Sequence, residues 1–403
     1  MEEVLLACCR KAFSVGKTAF ICKILELLTE KFNALEGNVS HLKLSQILIK
    51  LYLGAADVKE EQEKIIVCMK KALEISEYVE KGNNIEDMME WFCRIAWNMA
   101  LKPSIEVRNV FEFFELCCQF LQKLKGSHVR LKNSLIFVVA AGIQTLRENN
   151  KTKEVEEECR NISRKILSSI DMCRSIEKEN SRILSLLYVY EFETRILMED
   201  PSAETVLKQM LQIPFVDAEA LQLVASIAYE KSPKNFKLIT VALEGAINRI
   251  TNHDSDGQVS QLYHSLLQVL FFTQEYITSS VEEQNMNICK TFLKRLEEDV
   301  SFQEYPEMKI LWLMTKCWNW GVHKLSSGNS TSGHDWCFLA MKLQEKLKGL
   351  KHLHEEKLQA LFSSYFGAKR YIPSDFLSFK IDAYYKRGWL SIIIYPGFAS
   401  YYM

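Results

Sequence analysis

Apolar residues recur at helical spacing along most of the chain. From Ile21 to Leu35 the apolar positions are separated by steps of three or four residues. Residues 104–124 repeat that spacing and add a second stripe through Phe113, Leu116 and Phe120. A stripe that wide needs neighbouring helices on two sides. Because no strand-length run shows strict alternation, the pattern predicts an all-α protein.

Short polar breaks interrupt this pattern about every 20 residues, which is the spacing of a helix plus its loop. Examples are 36–38, 102–104 and 200–202, and none is long enough to be a flexible linker. Short loops place consecutive helices side by side in opposite directions. We therefore predict an α-solenoid of antiparallel helix hairpins over residues 1–370. Residues 371–403 lose the helical period and are rich in aromatic side chains, which predicts a tail outside the array.

Two segments share a tryptophan motif and are the clearest sign of an internal repeat. Residues 91–100 and 312–321 both read Trp, five residues, Trp-Asn, one residue and a small residue. The matching positions are Trp91, Trp97, Asn98 and Ala100 in the first segment, and Trp312, Trp318, Asn319 and Gly321 in the second. A motif repeated in this way indicates helical repeats whose large rings pack between neighbouring helices.

The second copy continues into the spacing of small residues found in tetratricopeptide hairpins. Gly321, Gly333 and Ala340 are separated by 12 and then 7 residues. Small residues at these positions let two helices cross closely. The bulky positions of that repeat match poorly, since Cys317 and Lys324 occupy two of them. The chain is therefore predicted to carry degenerate tetratricopeptide-like repeats.

Asn98 and Asn319 each follow a tryptophan of the motif, and two interpretations of them stay open. In one, the amide faces a groove and hydrogen-bonds the backbone of a bound peptide. In the other, which the neighbouring packing tryptophans favour, the amide ties adjacent helices together. We treat the motif residues as repeat-signature and packing positions.

Composition and charge argue against several classes of fold and function. The chain has only 7 Pro and 15 Gly in 403 residues, too few turn residues for an all-β fold. Its 50 basic and 51 acidic residues give a net charge of −1, so direct binding of nucleic acid is not expected. The longest stretch without a charged residue, 257–274, carries several polar side chains, so no membrane span is expected. The acidic start does not resemble an export signal, which favours an intracellular protein.

Candidate catalytic and metal-binding groups are weak. Gly16-Lys17-Thr18 resembles the end of a phosphate-binding loop, but Lys11 occupies the position of the required first glycine. The 12 Cys include no C-x-x-C pair, and we expect buried, reduced thiols. No enzyme activity, cofactor or metal is predicted. One further group contains residue types that can bind zinc, but its spacing matches no standard zinc site. The group is Cys317, His323, His334 and Cys337.

The segment Trp91–Ala100 resembles a signature of one protein family, and Leu311–Ala340, with Trp318, Asn319 and Trp336, is similar to it as well. The family is the meiosis-specific, tetratricopeptide-like group of sporulation-specific synapsis-initiation and testis-expressed crossover proteins, and the likeness is greatest to its mammalian testis-expressed branch. The resemblance implies a non-enzymatic scaffold in the nucleus, on meiotic chromosomes. It would promote homologue synapsis and crossover formation by holding crossover and synaptonemal-complex factors together. Family chains are longer, so the resemblance also implies a short or isoform-like chain.

Two other functions remain as alternatives. A general tetratricopeptide adaptor, such as a co-chaperone or an assembly subunit, would share the fold but needs basic and amide side chains converging on a terminal carboxylate. Only Asn98 and Asn319 are candidates for that, and they lie far apart in sequence. A helical-repeat nucleic-acid binder would need a basic stripe. The best local group for such a stripe is Lys342, Lys346, Lys348 and Lys351.

Overall fold

The computed structural model describes most of the chain between residues 21 and 349. The described ranges are 21–26, 39–53, 59–79, 83–148, 153–177, 181–232, 235–250, 256–272, 279–298 and 305–349, together with the single positions 11, 360 and 363. Within these ranges the regular structure is helical and contains no strand. The predicted tail 371–403 and Gly16-Lys17-Thr18 lie outside the described residues.

The helices are numbered here in chain order. They are α1 (Val39–Tyr52), α2 (Lys59–Tyr78), α3 (Asn83–Ala100), α4 (Val107–Lys123), α5 (His128–Glu148), α6 (Lys153–Ile176), α7 (Ser181–Leu197), α8 (Ala203–Gln212), α9 (Ala218–Lys231), α10 (Phe236–Arg249), α11 (Asp256–Phe272), α12 (Ser279–Glu298), α13 (Glu307–Ser326) and α14 (Ser330–Gln344).

The chain divides into two compact units, Met1–Val206 and Leu207–Met403. In the first unit most helices pack against the next one along the chain, and α1, α2 and α5 also contact the next helix but one. In the second unit α11 and α12 do the same with α13 and α14. Contacts limited to near neighbours are typical of stacked helix hairpins. The structure thus confirms the predicted all-α solenoid of antiparallel hairpins.

Helix α4 lies at the centre of the packing in the first unit. It contacts α3 on one side and α5 on the other, and it also meets α2. Phe111, Phe113 and Phe120 are therefore all buried although they point in different directions around the helix. Covering on two sides is what the wide apolar stripe of residues 104–124 predicts.

Helix α5 is long and apolar enough to cross a membrane by length and composition alone. Half of the most apolar 18-residue stretch of this helix is buried inside the protein. Its apolar side chains, including Leu135, Val138 and Val139, are buried in the first unit, where α5 packs against α4 and α6. The same composition is found in the core helices of large helical proteins.

Polar contacts in the first unit join helices that are next but one. Asn109 on α4 donates to the Gln62 side-chain oxygen on α2 at 3.0 Å, and both residues are buried. Arg147 on α5 donates two hydrogen bonds, of 2.6 and 2.8 Å, to the buried carboxylate of Glu193 on α7. Because these bonds are directional, they fix the register in which successive hairpins stack.

In the second unit, Glu282 on α12 makes the polar contacts that join neighbouring helices. Its carboxylate accepts hydrogen bonds from Lys324 Nζ at 2.6 Å, from Trp336 Nε1 at 3.2 Å and from the Ser332 hydroxyl. Although burial opposes ionisation, these donors hold the pKa of Glu282 below its usual value. One carboxylate therefore joins α12 to both helices of the following hairpin.

The hairpin of α13 and α14 crosses at two glycines. A Cβ added to Gly321 would lie 2.9 Å from the carbonyl oxygen of Gly333, and one added to Gly333 would lie equally close to that of Gly321. The connecting turn passes through Gly328, whose φ of +88° is left-handed. Asn329 then caps α14 by accepting a hydrogen bond from the Ser332 backbone at 3.2 Å.

Candidate functional site

A cleft lies in the first unit between α3 and α5, with α4 as its floor. Its volume is about 320 Å³. At the base of the cleft, α4 carries Cys117 and Leu121. An aromatic ring at either position would fill the space. We call this the α3–α5 cleft. Its lining residues are Glu90, Cys93, Arg94 and Trp97 from α3, Cys117 and Leu121 from α4, and Arg130, Asn133 and Ser134 from α5.

Trp97 forms one wall of the α3–α5 cleft. Its ring meets Phe114 edge-on at 5.4 Å and Phe137 edge-on at 5.3 Å, while those two rings stack on each other at 5.1 Å. The three rings come from α3, α4 and α5, so they hold the helices around the cleft in one arrangement. Trp97 is half-buried and keeps an edge in the cleft.

Hydrogen-bond donors lie along both rims of the cleft. On α3, Arg94 is exposed and has no ion pair within the described part of the chain; Asn98 lies one turn later on the same face and is also exposed. On α5, Arg130 and the exposed Asn133 line the cleft. Arg130 is half exposed and pairs with Glu90 at 2.8 Å across the cleft. The cleft lining thus includes two guanidinium groups and the amide of Asn133 beside the ring of Trp97, and Asn98 lies just outside that lining.

Two thiols lie at the base of the cleft. The Sγ atoms of Cys93 and Cys117 are 3.4 Å apart, and Arg130 Nη2 lies 3.3 Å from Cys93 Sγ. The hydrogen bond from Cys117 lowers the pKa of the Cys93 thiol; burial opposes this and the Arg130 charge adds to it. The same hydrogen bond and burial raise the pKa of Cys117, whose Sγ lies 3.6 Å from the Ser134 hydroxyl. The two sulfurs are therefore chemically different.

The first tryptophan motif lies on α3 and its members have different environments. Trp91 is half-buried, meets the Phe92 ring edge-on at 5.2 Å and carries Lys50 Nζ 5.5 Å above its ring. Ala100 is buried. Asn98 is exposed and makes no side-chain hydrogen bond to any described residue. The structure gives no support to the interpretation of Asn98 as a residue that ties adjacent helices together, because its side chain is exposed on α3.

The second motif lies on α13, in the other unit. Trp318 is only 4% exposed, and Trp312 meets the ring of His264 edge-on at 5.4 Å. Gly321, like Gly333 and Ala340 on the facing helix, is buried where α13 and α14 cross. Asn319 is half-buried and, among the described residues, forms no side-chain hydrogen bond. The polar link in this repeat is made by Glu282 instead, which the motif gave no reason to select.

The other groups considered from the sequence are dispersed. Cys317 and Cys337 are fully buried while His323 and His334 are exposed, so these four do not converge. Among the described residues there is no cluster of three or more candidate metal ligands. In the predicted basic stripe, Lys342 pairs with Glu345 at 3.1 Å and Lys346 pairs with Glu297 at 2.9 Å. Lys351 lies outside the described residues.

A second, open recess of about 480 Å³ lies between α10 and α12 in the second unit. Glu244, Glu283, Gln284 and Asn287 line it. Burial raises the pKa of Glu244, and the hydrogen bond with Gln284 opposes that shift. The recess carries neither an aromatic wall nor a basic side chain, so the α3–α5 cleft is the stronger candidate site.

Of the residues that line the α3–α5 cleft, the sequence had singled out Trp97 alone. Cys93 and Arg130 are 37 residues apart, and the contact between them depends on which helices become neighbours. Cys93 and Cys117 each occupy an apolar stripe position, where a buried thiol and a small hydrophobic residue give the same pattern.

No family model matches the chain. Among solved structures the chain is similar to a "Circular tandem repeat protein with novel repeat topology and enhanced subunit contact surfaces". That similarity covers 91% of this chain and 88% of that chain, with 13% sequence identity and a TM-score of 0.28. A likeness this weak supports no argument about fold or function, and the fold class rests on the helices described above.

Proposed function

We propose that the protein is a non-enzymatic scaffold that binds other proteins, and that the α3–α5 cleft holds an acidic segment of a partner. The observation that carries this proposal is the presence of Arg94, Arg130 and Asn133 in one cleft with the ring of Trp97. Helical-repeat proteins bind partners on the faces that their stacked helices leave open. A cleft of about 320 Å³ is large enough to take one or two side chains.

Each rim group has a role in recognising an extended acidic peptide. A guanidinium group can hold a carboxylate with two parallel hydrogen bonds. Arg94 is the better anchor, because Arg130 is already engaged by Glu90. The amides of Asn98 and Asn133 can each donate to and accept from a peptide backbone. The edge of the Trp97 ring supplies apolar contact between these polar groups.

The biological setting of this proposal comes from the resemblance of the tryptophan motif. We propose that the partners are meiotic crossover and synaptonemal-complex factors, and that the protein acts in the nucleus, on meiotic chromosomes, during homologue synapsis and crossover formation. A non-enzymatic role agrees with a cleft whose polar groups are suited to holding a peptide. The repeat motifs in α3 and α13 support this setting only through the family resemblance.

A general adaptor, such as a co-chaperone or an assembly subunit, is the second candidate. One observation favours it: two arginines and Asn133 line the same cleft, and a clamp for a terminal carboxylate requires basic and amide groups of this kind. From the sequence, only Asn98 and the distant Asn319 could be considered for such a clamp. The two candidates share the binding chemistry and differ in which acidic segment is bound.

Affinity purification of the full chain from meiotic cells tests both candidates. We expect Arg94→Glu to lose partners that the wild type captures, because it places a carboxylate where the bound segment carries its own. Arg160→Glu is the matched control, since Arg160 is an exposed arginine on α6, away from the cleft. Mass spectrometry then identifies the captured proteins.

Three results are informative. Crossover and synapsis proteins that are lost with Arg94→Glu and kept with Arg160→Glu would support the meiotic scaffold. Chaperones or other assembly factors with that same dependence would support the adaptor. Identical captured proteins for Arg94→Glu and the wild type would contradict the proposed cleft.

A further inference from the structure

The two thiols of the α3–α5 cleft are close enough to become a disulfide. Cys93 on α3 and Cys117 on α4 have their Sγ atoms 3.4 Å apart. A disulfide needs about 2.05 Å, so the sulfurs must approach each other by a little over 1 Å, about what small side-chain rotations supply. The two helices belong to one hairpin, whose packing already holds the cysteines opposite each other.

Both thiols can be reached from solvent although their own exposed area is small. Cys93 and Cys117 are 2% and 1% exposed, yet both line the cleft. A small molecule that enters this space arrives directly at the sulfurs. Cys118, the next residue along α4, is also buried but is not part of the cleft lining.

The surroundings give the two sulfurs different roles. Arg130 Nη2 lies 3.3 Å from Cys93 Sγ, so the Cys93 thiolate has a cation beside it. Glu90 holds the other end of that guanidinium at 2.8 Å and fixes its position. Cys117 Sγ is in hydrogen-bond contact with Cys93 Sγ, and that contact together with burial raises the pKa of Cys117, so Cys117 is the thiol that keeps its proton. A thiolate next to a cation, with a second thiol in contact, is the arrangement of a peroxide-sensitive cysteine pair.

We propose that Cys93 and Cys117 form a modification site at which a small hydroperoxide oxidises Cys93 and Cys117 then closes a disulfide between α3 and α4. The inference rests on the sulfur geometry and the cleft, and it does not depend on the proposed binding function. It also differs from the expectation of inert, buried thiols for these two cysteines.

The chemistry is a two-electron oxidation in two steps. The Cys93 thiolate attacks the terminal oxygen of the hydroperoxide, the O–O bond breaks, and Cys93 becomes a sulfenic acid. The other oxygen leaves as an alkoxide or hydroxide and takes a proton from solvent. Cys117 sulfur then attacks Cys93 sulfur and the S–O bond breaks. The released hydroxide combines with the proton of Cys117 to give water, so one peroxide is reduced and two thiols are oxidised.

The test exposes the folded full chain to graded hydrogen peroxide, blocks the remaining thiols in acid and maps disulfides by mass spectrometry. We expect a link between the tryptic fragments 82–94 and 109–123. Because Cys117 and Cys118 share the second fragment, two variants assign the bond. Cys118→Ser is the matched control and should keep the link, whereas Cys117→Ser should lose it. In Cys117→Ser, dimedone should trap a sulfenic acid at Cys93.

A further variant tests the role of Arg130. We expect Arg130→Gln to react with peroxide more slowly than the wild type at pH 7 and to approach the wild-type rate at pH 9, where the thiol ionises without help. Circular dichroism checks that each variant is folded. Where a cysteine variant fails to fold, the order of iodoacetamide labelling in the wild type replaces it, with Cys93 expected to react before Cys117 and Cys118.

Several results would overturn the proposal. One is a wild-type Cys93 that stays reduced at peroxide concentrations that oxidise other cysteines of the chain. Another is a link between the two fragments that persists in Cys117→Ser and is lost in Cys118→Ser. A rate of oxidation in Arg130→Gln equal to that of the wild type at pH 7 would remove the role of the arginine.

Discussion

At the scale of single residues, equivalent positions of the repeated motif have different surroundings. Trp318 is almost fully buried, at 4% exposed. Trp97, its counterpart, is half-buried and faces the α3–α5 cleft. A motif of ten positions indicates that a large ring is needed on that helix face, but the depth of the ring depends on the helices that pack around it.

The first prediction compares these two tryptophans. We expect Trp318→Ala to lower the free energy of unfolding by about 3–5 kcal/mol, as removal of a buried large ring does. Trp97→Ala should cost less, about 1–3 kcal/mol, because part of its ring already faces the cleft. Hydrogen exchange reports each unit separately, with lost protection in α13 and α14 for the first variant and in α3 to α5 for the second. Equal effects of the two changes would contradict this assignment.

His264 on α11 supplies the second prediction. Burial, aided by the nearby Lys309 charge, lowers its pKa to about 4. The unfolded chain binds the proton more readily than the folded chain does, since an unperturbed histidine has a pKa of about 6.5. Stability contributed by the neutral form is therefore lost as pH falls from about 6.5 towards about 4, by about 3 kcal/mol in total.

Chemical denaturation of the full chain at a series of pH values, followed by Trp fluorescence, measures this loss. His264→Phe keeps an aromatic ring against Trp312 and removes the titrating group. The slope of stability against pH in that window should therefore become flatter than in the wild type, whatever the absolute stability of the variant. An unchanged slope would show that His264 does not titrate as described.

At the scale of elements, the hairpin of α13 and α14 depends on the absence of two side chains. A Cβ on Gly321 would lie 2.9 Å from both the Cys337 backbone nitrogen and the Gly333 oxygen. Backbone atoms cannot rotate away as the end of a side chain can. The helices would have to separate, and the separation would extend to the neighbouring contacts of Trp336 and Cys337.

The third prediction follows from that crossing. We expect Gly321→Ala to destabilise the second unit by about 1–3 kcal/mol, although alanine favours helix more than glycine does. Gly349→Ala is the matched control, because its Cβ would make only an ordinary contact of 3.4 Å with Glu307. Thermal melts monitored by circular dichroism compare the two. A Gly321→Ala melting temperature equal to or above that of the control would contradict the close crossing.

The elements themselves could be predicted from the sequence, while most contacts between them could not. The period of the apolar residues located the helices, and the double stripe of residues 104–124 showed that α4 is covered on two sides. The carboxylate of Glu282 joins three helices. In the sequence, however, nothing distinguishes Glu282 from the other acidic and basic residues of α12. The contact of Arg130 with Cys93 could not be predicted from the sequence either, because it depends on which helices are neighbours.

At the scale of the whole molecule, the helices are organised in two compact units. The two tryptophan motifs belong to different units, and the first lies beside a cleft lined by two arginines. Balanced net charge therefore hides a local excess of donors around Trp97. The overall composition does not reveal this group, because a few side chains are too few to alter it.

The bonds that join helices next but one have a mechanical consequence in the first unit. Each hairpin is held mainly by its immediate neighbours, through contacts such as Asn109 with Gln62 and Arg147 with Glu193. Tension applied along such a stack is borne by one interface after another, because the described helices of this unit pack mainly against near neighbours. The unit should then extend in steps, one hairpin at a time, and recoil by the same steps when the pull is released.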